Sequence, residues 1–228
     1  QGGAAATPFE IKADEYEENR HFLLAQYFKN NYNRVMSNLP AIYSKVQILR
    51  MEVWVTNRNG TTTETRDVVG LMDLAETQPF LQPPIINSTG NELPTNGTND
   101  LYSRVISLPD ARKPATIFTN LLGIGLRPVQ DFEKTFARKL DSTQYTYNPQ
   151  VGTLSLSQPL QTDEVLAVAY QYSFKGRIYQ VGEFSQDIPP DSTSATQKVL
   201  FLKLLKATSQ RTSLPIWGLM MKNVYSIG

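Results

Sequence analysis

The stretch from Asp14 to Pro40 carries the longest helical period in the chain. Leu23, Leu24, Tyr27, Phe28, Val35, Met36 and Leu39 recur at three- and four-residue spacing as one apolar stripe. Asp14 stands where a cap belongs, Glu17 three residues on completes a box-like start, and Pro40 disfavours helix at Leu39. The spacing predicts a helix from about Asp14 to Asn38. The period then falls from 3.6 to 2. Leu49, Met51, Val53 and Val55 alternate with Arg50, Glu52, Trp54 and Thr56, a half-buried strand. Asn59-Gly60 supplies the positive φ angles of a hairpin turn, and Thr61 to Leu74 reads as the return strand. A two-residue turn would set Val53 against Arg66. A register one residue along sets Leu49 against Leu71 and Met51 against Val69, so a longer loop or a bulge is expected there. Leu23, Tyr27, Phe28 and Val35 are expected to bury against the strand Val46–Val55.

From Thr77 to Asn99 the chain is rich in Pro, Asn, Gly and Thr and has no period, so it reads as a long surface loop or a join. A short helix follows at about Asp100 to Ser107, broken by Pro109 and Pro114. Four β runs come next: Thr143–Tyr147, Thr153–Ser157, Glu164–Phe174 and Arg177–Val181. Turn residues separate them at Asn148-Pro149, Gln158-Pro159 and Lys175-Gly176. Connections this short favour an antiparallel meander. The apolar run in Lys198–Ala207 fits strand or helix and is read as strand; Ser213–Tyr225 reads as helix, with Ser213 near the cap and Pro215 in the first turn. The class is therefore α+β: an N-terminal helix packed on a β-hairpin, then an antiparallel β-meander lobe with short helices. The expected divisions are a lobe over 1–76, a linker over 77–99 and a second lobe over 100–228.

Composition narrows the function. The 228 residues suffice for a core without staples, since chains of this size hide roughly 70% of their unfolded surface. Lys plus Arg number 22 against 21 for Asp plus Glu, a net charge of +1, which removes the electrostatic case for a nucleic-acid partner. The absence of cysteine excludes disulfides, thiolate metal sites and cysteine nucleophiles. No apolar run approaches the 18 or so residues of a spanning helix. The start "QGGAAATPFE" has neither the basic region nor the apolar core of a signal peptide, and the other end stops inside an apolar segment. Both ends read as cuts in a longer protein.

Candidate chemistry is sparse. His21 is the single histidine and lies on the predicted helix without a companion motif, so neither a nucleophilic triad nor a metal centre is expected. Asp163-Glu164 and Glu17-Glu18 are adjacent carboxylates, which on a strand point to opposite faces. "GIGLRP", Gly123 to Pro128, lacks the phosphate-loop lysine and reads as a turn. The Asn59, Asn87 and Asn96 sequons read as polar loop. Trp54, Tyr145, Tyr147, Tyr170, Tyr172 and Tyr179 make the β regions aromatic, as strand packing requires and as a sugar platform also would. Expected catalytic, cofactor-binding and metal residues are none. The candidate protein-interface residues are Trp54 on an edge strand, Ile85 and Ile86 in the loop, and Trp217 and Met221 in the terminal helix.

Four long strings in order carry a family likeness: "FEIKADEYEENRHFLLAQYF", "EVWVTNRNGTTTETRDVVGLMDLAE", "YTYNPQVGTLSLSQPLQTDEVLAVAYQYSFKGRIYQVGEFSQDI" and "LPIWGLMMKNVYSIG". They resemble the SprA/Sov family of gliding-motility proteins, from about Phe9 to Gly228. The family has an acidic residue where this chain has Gly218. The resemblance implies membership of the outer-membrane translocon of type IX secretion. The chain is a fraction of such a protein and lacks a row of lipid-facing barrel strands. What carries over is a module on the periplasmic or cell-surface side that does not itself span the membrane. Its implied partners are other parts of the same translocon polypeptide, secretion-system proteins and cargo. Two other readings stand beside it: a carbohydrate-active envelope enzyme using distant carboxylates such as Asp67 and Asp73, and a carbohydrate-binding domain built on the tyrosines.

Overall fold

Between Val46 and Lys206, runs rich in β-branched, aromatic and other apolar residues fold as strands. The computed structural model describes residues 10–58, 60, 64–81, 85–190 and 197–226. The strands are β1 (His21–Leu23), β2 (Val46–Thr56), β3 (Thr65–Leu71), β4 (Phe132–Lys139), β5 (Tyr145–Asn148), β6 (Thr153–Leu156), β7 (Leu166–Phe174), β8 (Arg177–Val181) and β9 (Leu200–Lys206). The helices are α1 (Gln26–Val35), α2 (Leu101–Ile106) and α3 (Ile117–Gly123), and the class is α+β.

Six strands form one sheet in the order β2-β4-β3-β9-β7-β8, and β2 also pairs with β7 along its whole length. Five of them therefore close into a ring, with β8 added to the second half of β7. Closure removes the free edges that an open sheet of these strands would leave. One core cluster, Trp54, Val68, Ala137, Ala167, Ala169, Leu200 and Leu202 with Phe184, comes almost wholly from ring strands and fills the ring. The small alanines and Gly70, where a Cβ would come within 2.8 Å of Leu204, let the strands approach across it. The opposite faces of the same strands, including Val53, Val69, Phe132 and Tyr170, form a larger core with α1, β1, β5, β6 and the short helices. Burial on both faces explains why β7 and β9 are nearly continuous apolar runs.

Several expectations change. The Asn59-Gly60 hairpin does not form as a strand pair: β4 pairs with both β2 and β3 and stands between them. Asn59 and residues 61–63, at the expected tip, lie outside the described residues. The meander splits, because β7 and β8 join the ring while β5 and β6 pair with β1 in a separate sheet of order β1-β6-β5. The two-lobe division fails for the same reason, since β2 and β3 share their sheet with β4, β7 and β9. The expected linker is a strap packed on the sheet: Ile86, Thr98 and Asn99 are buried, and Tyr172 donates to Pro94 O at 2.8 Å.

The first helix begins at Gln26 rather than near Asp14. Residues 10–20 carry no apolar stripe and are held by remote backbone partners instead. Glu17 N–H donates to Val224 O and Leu160 N–H to Asn19 O. Leu39 lies beyond the stripe and is 60% exposed. The terminal helix is a short 3₁₀ turn, Pro215–Leu219, with the proline in its first turn as expected. The strand readings of Thr153–Ser157, Glu164–Phe174, Arg177–Val181 and the run near Leu200 match β6 to β9, and Lys175-Gly176 turns between β7 and β8 with both φ positive.

Candidate functional site

The predicted interface residues divide into buried and accessible. Trp54 is fully buried inside the ring, on a strand flanked by β4 and β7, so it is neither on an edge nor available. Ile86 is 1% exposed in the larger core and Ile85 is half-buried beside it, so the expected exposed pair is not there. Trp217 and Met221 are half-buried at the 3₁₀ turn. Lys222 Nζ lies 4.3 Å from the Trp217 ring centroid, and Met221 N–H donates to His21 O at 2.8 Å. Burial pushes the Lys222 ammonium down, helped by Lys29. The tyrosines serve packing: Tyr170 and Tyr172 are fully buried, and Tyr172 stacks on Tyr179 at 5.4 Å. That arrangement counts against a sugar platform.

His21 has partners that the sequence did not reveal. Its Nδ1 is 2.7 Å from Ser155 Oγ and its Nε2 is 2.7 Å from Glu17 Oε2. His21 and Ser155 are facing residues of β1 and β6, so the contact is a cross-strand pair. The serine meets Nδ1 and the carboxylate Nε2, the reverse of the ring orientation in a serine triad. The His21 contact is the leading influence holding the Glu17 carboxyl below its ordinary range. No cluster of three or more metal-ligating side chains occurs among the described residues. Asp67 pairs with Lys134 at 3.2 Å, while Asp73 is buried and accepts from Phe80 N–H and Leu81 N–H, so these two carboxylates have separate structural partners.

Elsewhere the buried charges tie elements together. Glu183 accepts both Arg112 nitrogens at 2.5 and 2.6 Å, Tyr102 Oη at 2.7 Å and Phe201 N–H at 2.9 Å. Arg66 donates from inside the ring mouth to the carbonyls of Ser185, Ile188 and Lys198.

A cleft of about 440 Å³ lies between α1, the segment from Met36 to Lys45, and the β7–β8 turn. Phe28, Val35, Val46 and Phe174 form its floor, and Tyr27 and Tyr43 stand on its walls. Arg34, Lys45 and Lys175 line it, all exposed, and no carboxylate is among its lining residues. Burial raises the Tyr27 hydroxyl above its usual range against the opposing charge of Arg34. Leu39 at 60% and Tyr43 at 63% exposure make the Met36–Lys45 segment an apolar rim. Sequence reasoning missed this site because its cations lie at positions 34, 45 and 175 and meet only through the pairing of Val46 with Phe174. A second cleft of about 490 Å³ also holds arginines, but there Arg58 is already paired with Asp163.

No helix among the described residues is long and apolar enough to cross a membrane. Residues 1–107 match the model of a family described as SprA_N, motility related/secretion protein. No curated protein matches the chain at a significant level.

Proposed function

We propose, from the match of residues 1–107 to a family described as motility related/secretion protein, that this chain is a non-catalytic structural and interaction module of a cell-surface protein-export translocon, the machine of type IX secretion and gliding motility. The family match carries this reading. The fold supports it, because a closed ring with tied buried charges is a rigid scaffold on which surface clefts and turns meet partners. Those partners are other parts of the translocon polypeptide, secretion-system proteins and cargo, at the outer membrane. The His21–Ser155–Glu17 contacts knit β1 to β6 in this reading and perform no chemistry.

The 3₁₀ turn is the interface that tests it. Trp217 and Met221 remain accessible at the surface while Ile216 and Leu219 anchor the turn in the core. Replacing Trp217→Ala together with Met221→Ala in the intact protein should lower secretion and gliding while the isolated chain keeps its circular dichroism and cooperative melting. Normal secretion by the double variant, or loss of folding in the chain, removes this interface.

A further inference from the structure

We infer that the cleft between α1 and the Met36–Lys45 segment binds an acidic stretch of polypeptide bearing an apolar or aromatic side chain. This deepens the interaction-module reading by naming the chemistry of a partner, and it rests on that reading only in taking the occupant to be polypeptide. Charge is the first argument. Arg34, Lys45 and Lys175 converge on one opening, and none is within 4 Å of a carboxylate among the described residues; Arg34 Nη2 donates only to Asn31 Oδ1, at 2.8 Å. In a chain whose net charge is +1, three such cations without acidic counterparts make a local excess that an anionic occupant would neutralise.

The second argument is the apolar lining. Exposed Tyr43 and half-buried Tyr27, Ile42 and Phe174 offer an apolar surface beside the cations, which a mobile counterion would leave uncovered. A volume of about 440 Å³ suits one large side chain with its flanking backbone rather than a folded domain. The third is the donor set: the three charged groups at the rim offer donors only, which is what carboxylates require. An acidic peptide fits both the rim and the lining.

The probe is a fluorescein-labelled pentapeptide alternating glutamate with phenylalanine and leucine, titrated into the chain by anisotropy. Its glutamine analogue and an oligogalacturonate of similar charge serve as competitors. The glutamate peptide should bind, and the glutamine analogue should bind about fivefold or more weakly. Lys45→Glu and Lys175→Glu should each weaken binding by a similar factor, Tyr43→Ser should weaken both peptides alike, and Lys29→Glu, outside the cleft, should change nothing. Unchanged circular dichroism confirms that each variant is folded. The inference is overturned if the glutamate peptide does not bind, if both peptides bind equally, if the reversals have no effect, or if the oligogalacturonate binds more tightly. The titration reads the cleft alone, and the export reading is judged separately by the Trp217 and Met221 variant.

Discussion

Gly152 shows how one residue fixes the approach of two elements. It follows β5 with φ +75°, a conformation that glycine adopts freely, and a Cβ there would stand well inside contact distance of the Phe28 ring. Phe28 is 3% exposed, meets Tyr170 edge-on at 6.2 Å, and so joins α1 to both sheets. Gly152→Ala should cost about 2–5 kcal/mol from the combined backbone strain and overpacking. Phe28→Ala should cost about 3–5 kcal/mol through the cavity it leaves. The two should not add. Vacating the ring relieves the clash, so the double variant should be more stable than the sum by about 1 kcal/mol or more, as read from urea midpoints. Additive losses would show that Gly152 acts through its φ angle alone.

At the scale of elements, the start of α1 is secured from a distance. Ala25 offers no side-chain cap, and Gln26 N–H donates instead to both Glu76 carboxylate oxygens at 3.2 Å. Glu76 pairs with Lys203 of β9 at 2.6 Å, and Asn99 Nδ2 holds Asp73 O and Glu76 O at 2.7 and 2.9 Å. Lys203 and Glu76 are both buried, so removing the ammonium leaves an uncompensated charge. Lys203→Met should cost about 3–5 kcal/mol, and adding Glu76→Gln should return at least about 1 kcal/mol, since the amide still accepts from Gln26. A further loss in the double variant would mean that the carboxylate is needed at the helix end for its charge. This knot also explains what was legible. The alternation of β2 and the turn-bounded runs of β7, β8 and β9 could be read because those signals are local. The Asp14 box was misleading because the real cap lies fifty residues away, at Glu76. β4 was missed because "FEKTFARK" carries four charges, and its Phe136 is 50% exposed, which blurs its alternation. Strand partners were illegible for a related reason: β4 enters between β2 and β3 from beyond the whole strap. The cleft shared that fate, since only the finished register gathers its three cations.

The whole molecule stakes its stability on charged groups with little water around them, and this sets its response to pH. Burial holds the Lys206 ammonium down to about 8, while Glu164, Asp163, Glu133 and Glu18 oppose the fall; its Nζ donates to the carbonyls of Thr162, Glu164 and Ala207. A lysine whose folded value lies below its unfolded one loses its proton first in the native state. Stability therefore rises as pH climbs from about 8 towards 10.5, by no more than about 3 kcal/mol at 1.36 kcal/mol per unit. The tyrosines work the other way. Burial, with Glu183 alongside, raises Tyr102 to about 12, and burial also raises Tyr170 and Tyr172, so the unfolded chain ionises first and stability falls above pH 10. On the acid side the effects oppose one another. Burial raises Asp73 and Asp131, which lose stability as pH rises past their ordinary range, whereas Asp100, held down by Arg104 and Asn87 against its burial, gains stability as pH rises towards that range from below. The expected melting temperature is nearly level through neutrality, climbs above pH 8, peaks between about 9 and 10, and then drops. Lys206→Met lowers stability at every pH by leaving three carbonyls without their donor, yet it should erase the climb between pH 8 and 10. A chain whose melting temperature falls steadily from pH 7 to 10, or a Lys206→Met variant that keeps the climb, would assign the alkaline response to some other group.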